Sequence, residues 1–120
     1  YPGTGLESET GVDGNIVNAP LSPGAGSDEF RAAYERLILP ALREFSPEIL
    51  IISAGFDAHA RDPLAQLNVQ TEDYAWVTER LLEVASECCE GRVISLLEGG
   101  YDLNALRESV QAHVSALMAA

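Results

Sequence analysis

Two turns in this sequence carry side chains that could do chemistry. Ser53-Ala54-Gly55-Phe56-Asp57-Ala58-His59 delivers a carboxylate two residues after a glycine, and Glu98-Gly99-Gly100-Tyr101-Asp102 delivers a phenol directly after two glycines. A carboxylate oxygen ligates zinc at about 2.0 to 2.2 Å, and a phenol can donate a hydrogen bond to a developing oxyanion. Glycines beside such groups let a substrate chain approach the backbone closely. Taken singly, each residue has an ordinary alternative, because a glycine-aspartate turn after a strand is common loop chemistry. His59 could be a ligand two residues after Asp57, but a lone histidine in a polar turn is more often exposed. His113, far along the last helix, reads as structural.

Both turns follow apolar runs. Pro47 opens a segment in which Ile49, Leu50, Ile51 and Ile52 succeed one another without polar alternation, and Arg92-Val93-Ile94-Ser95-Leu96-Leu97 is a second such run. Unbroken aliphatic runs of this length suit strands covered on both faces, as in a parallel sheet between helices. Chemistry in such sheets collects beyond the carboxyl ends of the strands, where Asp57 and Tyr101 would both open on one edge.

The remaining elements support those strands. Residues 1 to 14, glycine-rich and acidic, form a loop. Asn15 to Leu21 has the β-branched centre of a short strand, stopped by Pro20 and the Pro23-Gly24 turn. Ser27 or Asp28 caps an amphipathic helix from about Asp28 to Phe45, in which Pro40 should kink or break the coil. Thr71, followed by Glu72 and Asp73, starts a helix to Cys89 that Gly91 terminates. Trp76 on that helix reads as packing. The last helix, Leu103 to Met118, carries Leu103, Leu106, Val110, Val114 and Leu117 as a narrow buried stripe. Alternating strands and helices predict an α/β fold, a parallel sheet with flanking helices and right-handed crossovers.

At 120 residues the chain is a single domain at most, small for a self-contained α/β enzyme. It carries 19 acids against 7 arginines, no lysine, and a net charge of −12. That field disfavours nucleic acid and anionic membranes, although acids on solvated helix faces account for it better. No apolar run reaches the length of a membrane span, so a soluble protein is expected. Cys88 and Cys89, adjacent on a helix, suit neither a thiolate metal site nor a disulfide framework and point to a reducing, cytoplasmic setting. A flavodoxin-like nucleotide binder is disfavoured by the lack of a glycine-rich phosphate loop between a strand and a helix.

Tyr1-Pro2-Gly3-Thr4-Gly5, Asn18-Ala19-Pro20-Leu21, Ser53 to His59 with Asp62-Pro63-Leu64, and Leu97 to Asp102, in this order and spacing, resemble the C-terminal part of the histone deacetylase superfamily. The match looks closest to its bacterial acetylpolyamine amidohydrolase and acetoin-utilisation members and to the class II deacetylases. The resemblance implies a partial, arginase/deacetylase-like three-layer fold. It makes Asp57 the family's third zinc ligand, Tyr101 the tyrosine that hydrogen-bonds the acetyl carbonyl, Tyr1 an aromatic wall of the acyl-lysine channel, and Gly99 and Gly100 the glycines beside it. The implied reaction is zinc-assisted hydrolysis of an N-acetyl amide, on acetyl-lysine or an acetylpolyamine.

The family's other two zinc ligands, an aspartate and a histidine one residue apart, and its pair of adjacent histidines precede the Tyr-Pro-Gly-Thr-Gly loop and are not among these 120 residues. The expectation is therefore a C-terminal portion of a deacetylase that does not bind zinc or act alone. The alternative is a non-catalytic α/β association module on the same scaffold. In either case a shortened sheet leaves a strand edge and apolar surface uncovered, which predicts self-association.

Overall fold

The computed structural model describes residues 3–120. Its sheet has two parallel strands, β1 (Leu50–Ala54) and β2 (Val93–Leu97), paired in the register Leu50 with Val93 through Ala54 with Leu97. The crossover between them is α3 (Thr71–Cys89), and α4 (Leu103–Met118) follows β2. Ahead of β1 stands a helix in three pieces: α1 (Ser27–Ala33), a wide π turn (Tyr34–Ile38) and α2 (Leu39–Phe45).

The wide turn is how the helix accommodates Pro40. Proline has no amide hydrogen and crowds the carbonyl four residues back, so a regular turn there would be strained. The Leu39 amide instead reaches back five residues to the Tyr34 carbonyl, and the coil continues rather than breaking. Ser46, at φ 51°, ends α2 just before Pro47.

The helices lie against one face of the sheet. Leu50, Leu39, Val77, Leu81, Val84, Ala85 and Cys89 make one buried cluster, while Ala54, Phe56, Val69 and Tyr74 make a second beneath the strand ends. Cys89, not Cys88, takes the fully buried place at the end of α3. Trp76 packs beneath the Arg31 guanidinium, 5.1 Å from the ring centre.

His113 joins α4 to both α3 and β2. Its Nδ1 lies 2.7 Å from the Thr78 hydroxyl and its Nε2 2.8 Å from that of Ser95. Thr78 gives its own proton to the Tyr74 carbonyl at 2.6 Å, so its oxygen must accept from His113 Nδ1–H. In the neutral imidazole with its proton on Nδ1, Nε2 accepts from the Ser95 hydroxyl. Burial holds this group below its ordinary value, in keeping with that state.

Four expectations are corrected. Neither strand is covered on both faces: Ile51 and Leu96 are 58% and 55% exposed, and Ile94 is exposed between them. Asn15 to Leu21 forms no strand, because the loop closes on itself: Asn18 Nδ2 donates to the carbonyls of Leu6 and Glu9, and the Ile16 backbone amide to that of Thr10.

The helix caps shift by one residue. Gly26 and Gln70 occupy the cap positions, with their amides held by Glu29 and Asp73, while the hydroxyls of Ser27 and Thr71 turn to other partners. Finally, α4 fully buries Ala105, Ser109, His113 and Ala116, while its aliphatic stripe is only half-buried at Leu106, Val110 and Leu117, the first two packed against the second cluster. Small residues permit the close approach of α3, and Leu103 and Val114 are left exposed.

Candidate functional site

Pairing of the two chain segments runs past the ends of β1 and β2. The Glu98 amide donates to the Ala54 carbonyl at 2.9 Å, and the Phe56 amide to the Gly99 carbonyl at 2.8 Å. Asp57 and Gly99 are thereby brought side by side at the sheet edge. A β-carbon built on Gly99 would fall 2.7 Å from Asp57 Cγ, and one on Gly55 would fall 3.0 Å from Asp57 Oδ1. A side chain at Gly99 would displace the carboxylate, whereas one at Gly55 would press tightly on its Oδ1. Phe56, facing inward between them, anchors the turn against the Tyr74 ring at 5.0 Å and His113 at 5.8 Å.

Gly100 follows with φ of 139°, a conformation that side chains rarely adopt. A β-carbon there would also stand 2.7 Å from Leu106 Cδ1 and 3.3 Å from Phe56 Cβ. Tyr101 comes next, with 58% of its surface exposed at the same edge. Asp102 then caps α4 by accepting the Ala105 amide at 2.8 Å.

Asp62 holds this second turn. It is buried, and its Oδ2 accepts the amides of Tyr101 at 2.7 Å and Asp102 at 3.3 Å, while Oδ1 accepts the Leu64 amide at 3.0 Å. Burial alone would push its carboxyl up; the amides of Tyr101, Leu64 and Asp102 outweigh that and hold it below the ordinary carboxylate value. Sequence reasoning gave Asp62 no role of its own. The available signal was its place in Asp62-Pro63-Leu64, one of the segments that carry the resemblance.

The sequence-derived candidates fare unevenly. Asp57, Gly99 and Gly100 come together with the backbone of Tyr101, whereas Tyr1 lies outside the described residues. His59 is not exposed: it is 3% accessible, its Nδ1 accepts the Arg61 amide at 3.1 Å and its Nε2 meets the Thr71 hydroxyl at 3.1 Å. With both nitrogens engaged it is a loop fastener. Burial, and then the charge of Arg61, keep its pKa low. The Tyr74 hydroxyl is buried without a hydrogen-bond partner among the described residues. Burial, then the charges of Asp57 and Asp62, push that phenol well above its ordinary range.

Among the described residues no group of three or more histidine, cysteine, aspartate or glutamate side chains could hold a metal ion.

The family model for the histone deacetylase domain matches residues 1–117. The chain belongs to the histone deacetylase family. Among relatives of this histone deacetylase chain, Type-2 histone deacetylase 1 of Dictyostelium discoideum is 44% identical over 112 residues, which are 93% of this chain and 8% of that protein. A probable deacetylase of Archaeoglobus fulgidus is 36% identical, over 99% of this chain and 34% of its own length. The crystal structure of the HDA15 HD domain superposes with a TM-score of 0.89 at 36% identity, covering 99% of this chain and 33% of that one. A structure of the histone deacetylase Clr3 gives 0.86 at 32%, covering 99% and 20%. The chain thus spans about a third or less of each of these relatives. No helix among the described residues is long and apolar enough to cross a membrane.

Proposed function

We propose that this chain forms the C-terminal part of a zinc-dependent deacetylase that hydrolyses N-acetyl amides of acetyl-lysine or acetylpolyamine type. The observation that carries the proposal is the juxtaposition of the Asp57 carboxylate with Gly99 on two paired strand ends, with Tyr101 two residues further on. Asp57 supplies one zinc ligand, and the remainder come from deacetylase segments beyond these 120 residues. Tyr101 donates its phenolic hydrogen to the amide carbonyl oxygen as negative charge develops there, an interaction whose loss typically costs about 2.7 to 4 kcal/mol of transition-state stabilisation. Gly99 and Gly100 would border a channel that admits the acyl chain. The net charge of −12 suits a cationic amine substrate and disfavours nucleic acid. A cytoplasmic setting accords with the free thiols of Cys88 and Cys89.

The test compares this chain with a version extended at its N-terminus, for zinc binding and for acetate release from acetyl-lysine and acetylpolyamine substrates. The extended protein should bind zinc and turn over, and the 120-residue chain should do neither. Activity in the short chain that survives Asp57→Ala would defeat the proposal.

A second function, association without catalysis, is favoured by one observation. Ile51, Ile94 and Leu96 form an uncovered apolar face on a sheet of only two strands. Such a surface favours self-association or docking of further deacetylase segments.

A further inference from the structure

We propose that Asp62 is a positioning residue for Tyr101, fixing the Gly99-Gly100-Tyr101 turn through its carboxylate-to-amide hydrogen bonds. This rests on the role given to Tyr101 above. Tyr101 is 58% exposed in this chain, so packing against these residues does little to fix it, and its placement here follows from its own backbone. That backbone comes directly after two glycines, which restrict it least of all residues. The turn therefore needs an outside constraint, and Asp62 supplies one. Its buried Oδ2 takes the Tyr101 amide at 2.7 Å and the Asp102 amide at 3.3 Å. Charge-assisted bonds of this kind are roughly twice as strong as neutral ones.

The clamp is itself rigid. Asp62 Oδ1 accepts the Leu64 amide at 3.0 Å, and the Asp62 amide donates to the His59 carbonyl at 2.8 Å. Asp62 lies in the loop that leaves β1 through Asp57. One loop thus carries the proposed ligand and sets the position of the proposed carbonyl donor.

The experiment is a double-mutant cycle in the N-terminally extended protein. Asp62→Asn keeps the shape but puts an amide group where an oxygen accepts N–H bonds. It should lower kcat by about 10²-fold, as expected for a misplacement near 1 Å, with a much smaller change in KM and zinc content retained. In a Tyr101→Phe background the same substitution should cost nothing further. A loss that multiplies undiminished in that background, or an unchanged kcat, overturns the proposal. Asp62→Glu keeps the charge but displaces it; it serves as the second variant should Asp62→Asn fail to fold, with the same cycle expected.

Amide hydrogen exchange on the 120-residue chain is independent of activity. Asp62→Asn should speed exchange at Tyr101 and Asp102 by on the order of tenfold while the amides of α3 hold. Unchanged exchange at both overturns the clamp. If the wild-type extended protein releases no acetate, the role of Tyr101 fails instead, and exchange still decides whether Asp62 holds the turn.

Discussion

The Asp57 carboxylate rests against the α-carbon of Gly99, so closely that a β-carbon there would stand within 2.7 to 2.8 Å of all three carboxylate atoms. Gly99→Ala must therefore turn Asp57 out of place. Displacing the support of a metal ligand typically costs about 10- to 100-fold in metal affinity. The extended protein carrying Gly99→Ala should lose zinc affinity in that range, measured by competition with a chelator, while its thermal midpoint falls little.

At Gly100 the constraint is steric and conformational together. With φ of 139° and Leu106 beneath it, Gly100→Ala should destabilise the chain by about 1 to 3 kcal/mol, read from urea unfolding. Leu106→Ala in the same chain should recover part of that loss by making room. A Gly100→Ala protein as stable as wild type would show that the turn relaxes freely.

Asp73 ties α1 to α3 from a fully buried position: its oxygens accept from Ser27 at 2.5 Å, the Gln70 amide at 2.9 Å and Arg31 Nε at 2.8 Å. Arg31 is partly exposed and can turn to water, so the cost of removing the carboxylate is mainly that of the buried hydroxyl and amide. Asp73→Ala should cost about 1 to 3 kcal/mol in urea unfolding.

His113 and His59 set an acid limit well above that of the carboxylates. Burial is the main cause that holds both below the ordinary 6.5, so below that pH the unfolded chain binds more protons than the folded one. Stability is full above pH 6.5 and declines as pH falls from there through the folded values. Asp62 and Asp73, held below the ordinary 3.8, add their losses only in stronger acid. The urea midpoint should drop between pH 7.5 and pH 5, and His113→Gln should flatten that slope.

The bare sheet face gives a test of association. Ile94→Glu and Leu96→Glu place charges where exposed aliphatic side chains now stand. In sedimentation, wild-type chain should associate with rising concentration and the double variant should remain monomeric. Monomeric wild-type behaviour at high concentration would remove the association function.

Much of this architecture was legible in the sequence. Five helical and strand segments, the parallel pairing, and the turns at Asp57 and Tyr101 follow from aliphatic runs, capping acids and glycines whose periodicity is local. What escaped depends on partners remote in sequence. Asp62 acts on amides 39 and 40 residues away, and no local pattern reveals which backbone a carboxylate will meet. His59 was misjudged because its burial comes from Thr71 and the neighbouring Val69 segment. On α4, the aliphatic stripe indicated the buried side, but close contact with α3 selects Ala105, Ser109 and Ala116. The runs in β1 and β2 were read as covered on both faces because residue type records what a strand is suited to face, not what this chain places there.

The wide turn at Tyr34–Ile38 also marks where this chain can tolerate a change in length. A π turn absorbs one additional residue locally, leaving both flanks in phase. A one-residue deletion inside it, made together with replacement of Pro40, would close to a regular coil and leave Phe30 and Leu42 on the faces they now use. The same deletion elsewhere in the helix would swing one flank by about 100° and lift it off the core. Pro40 opposes the regular coil, so the extra residue and the proline form a matched pair, each accommodating the other.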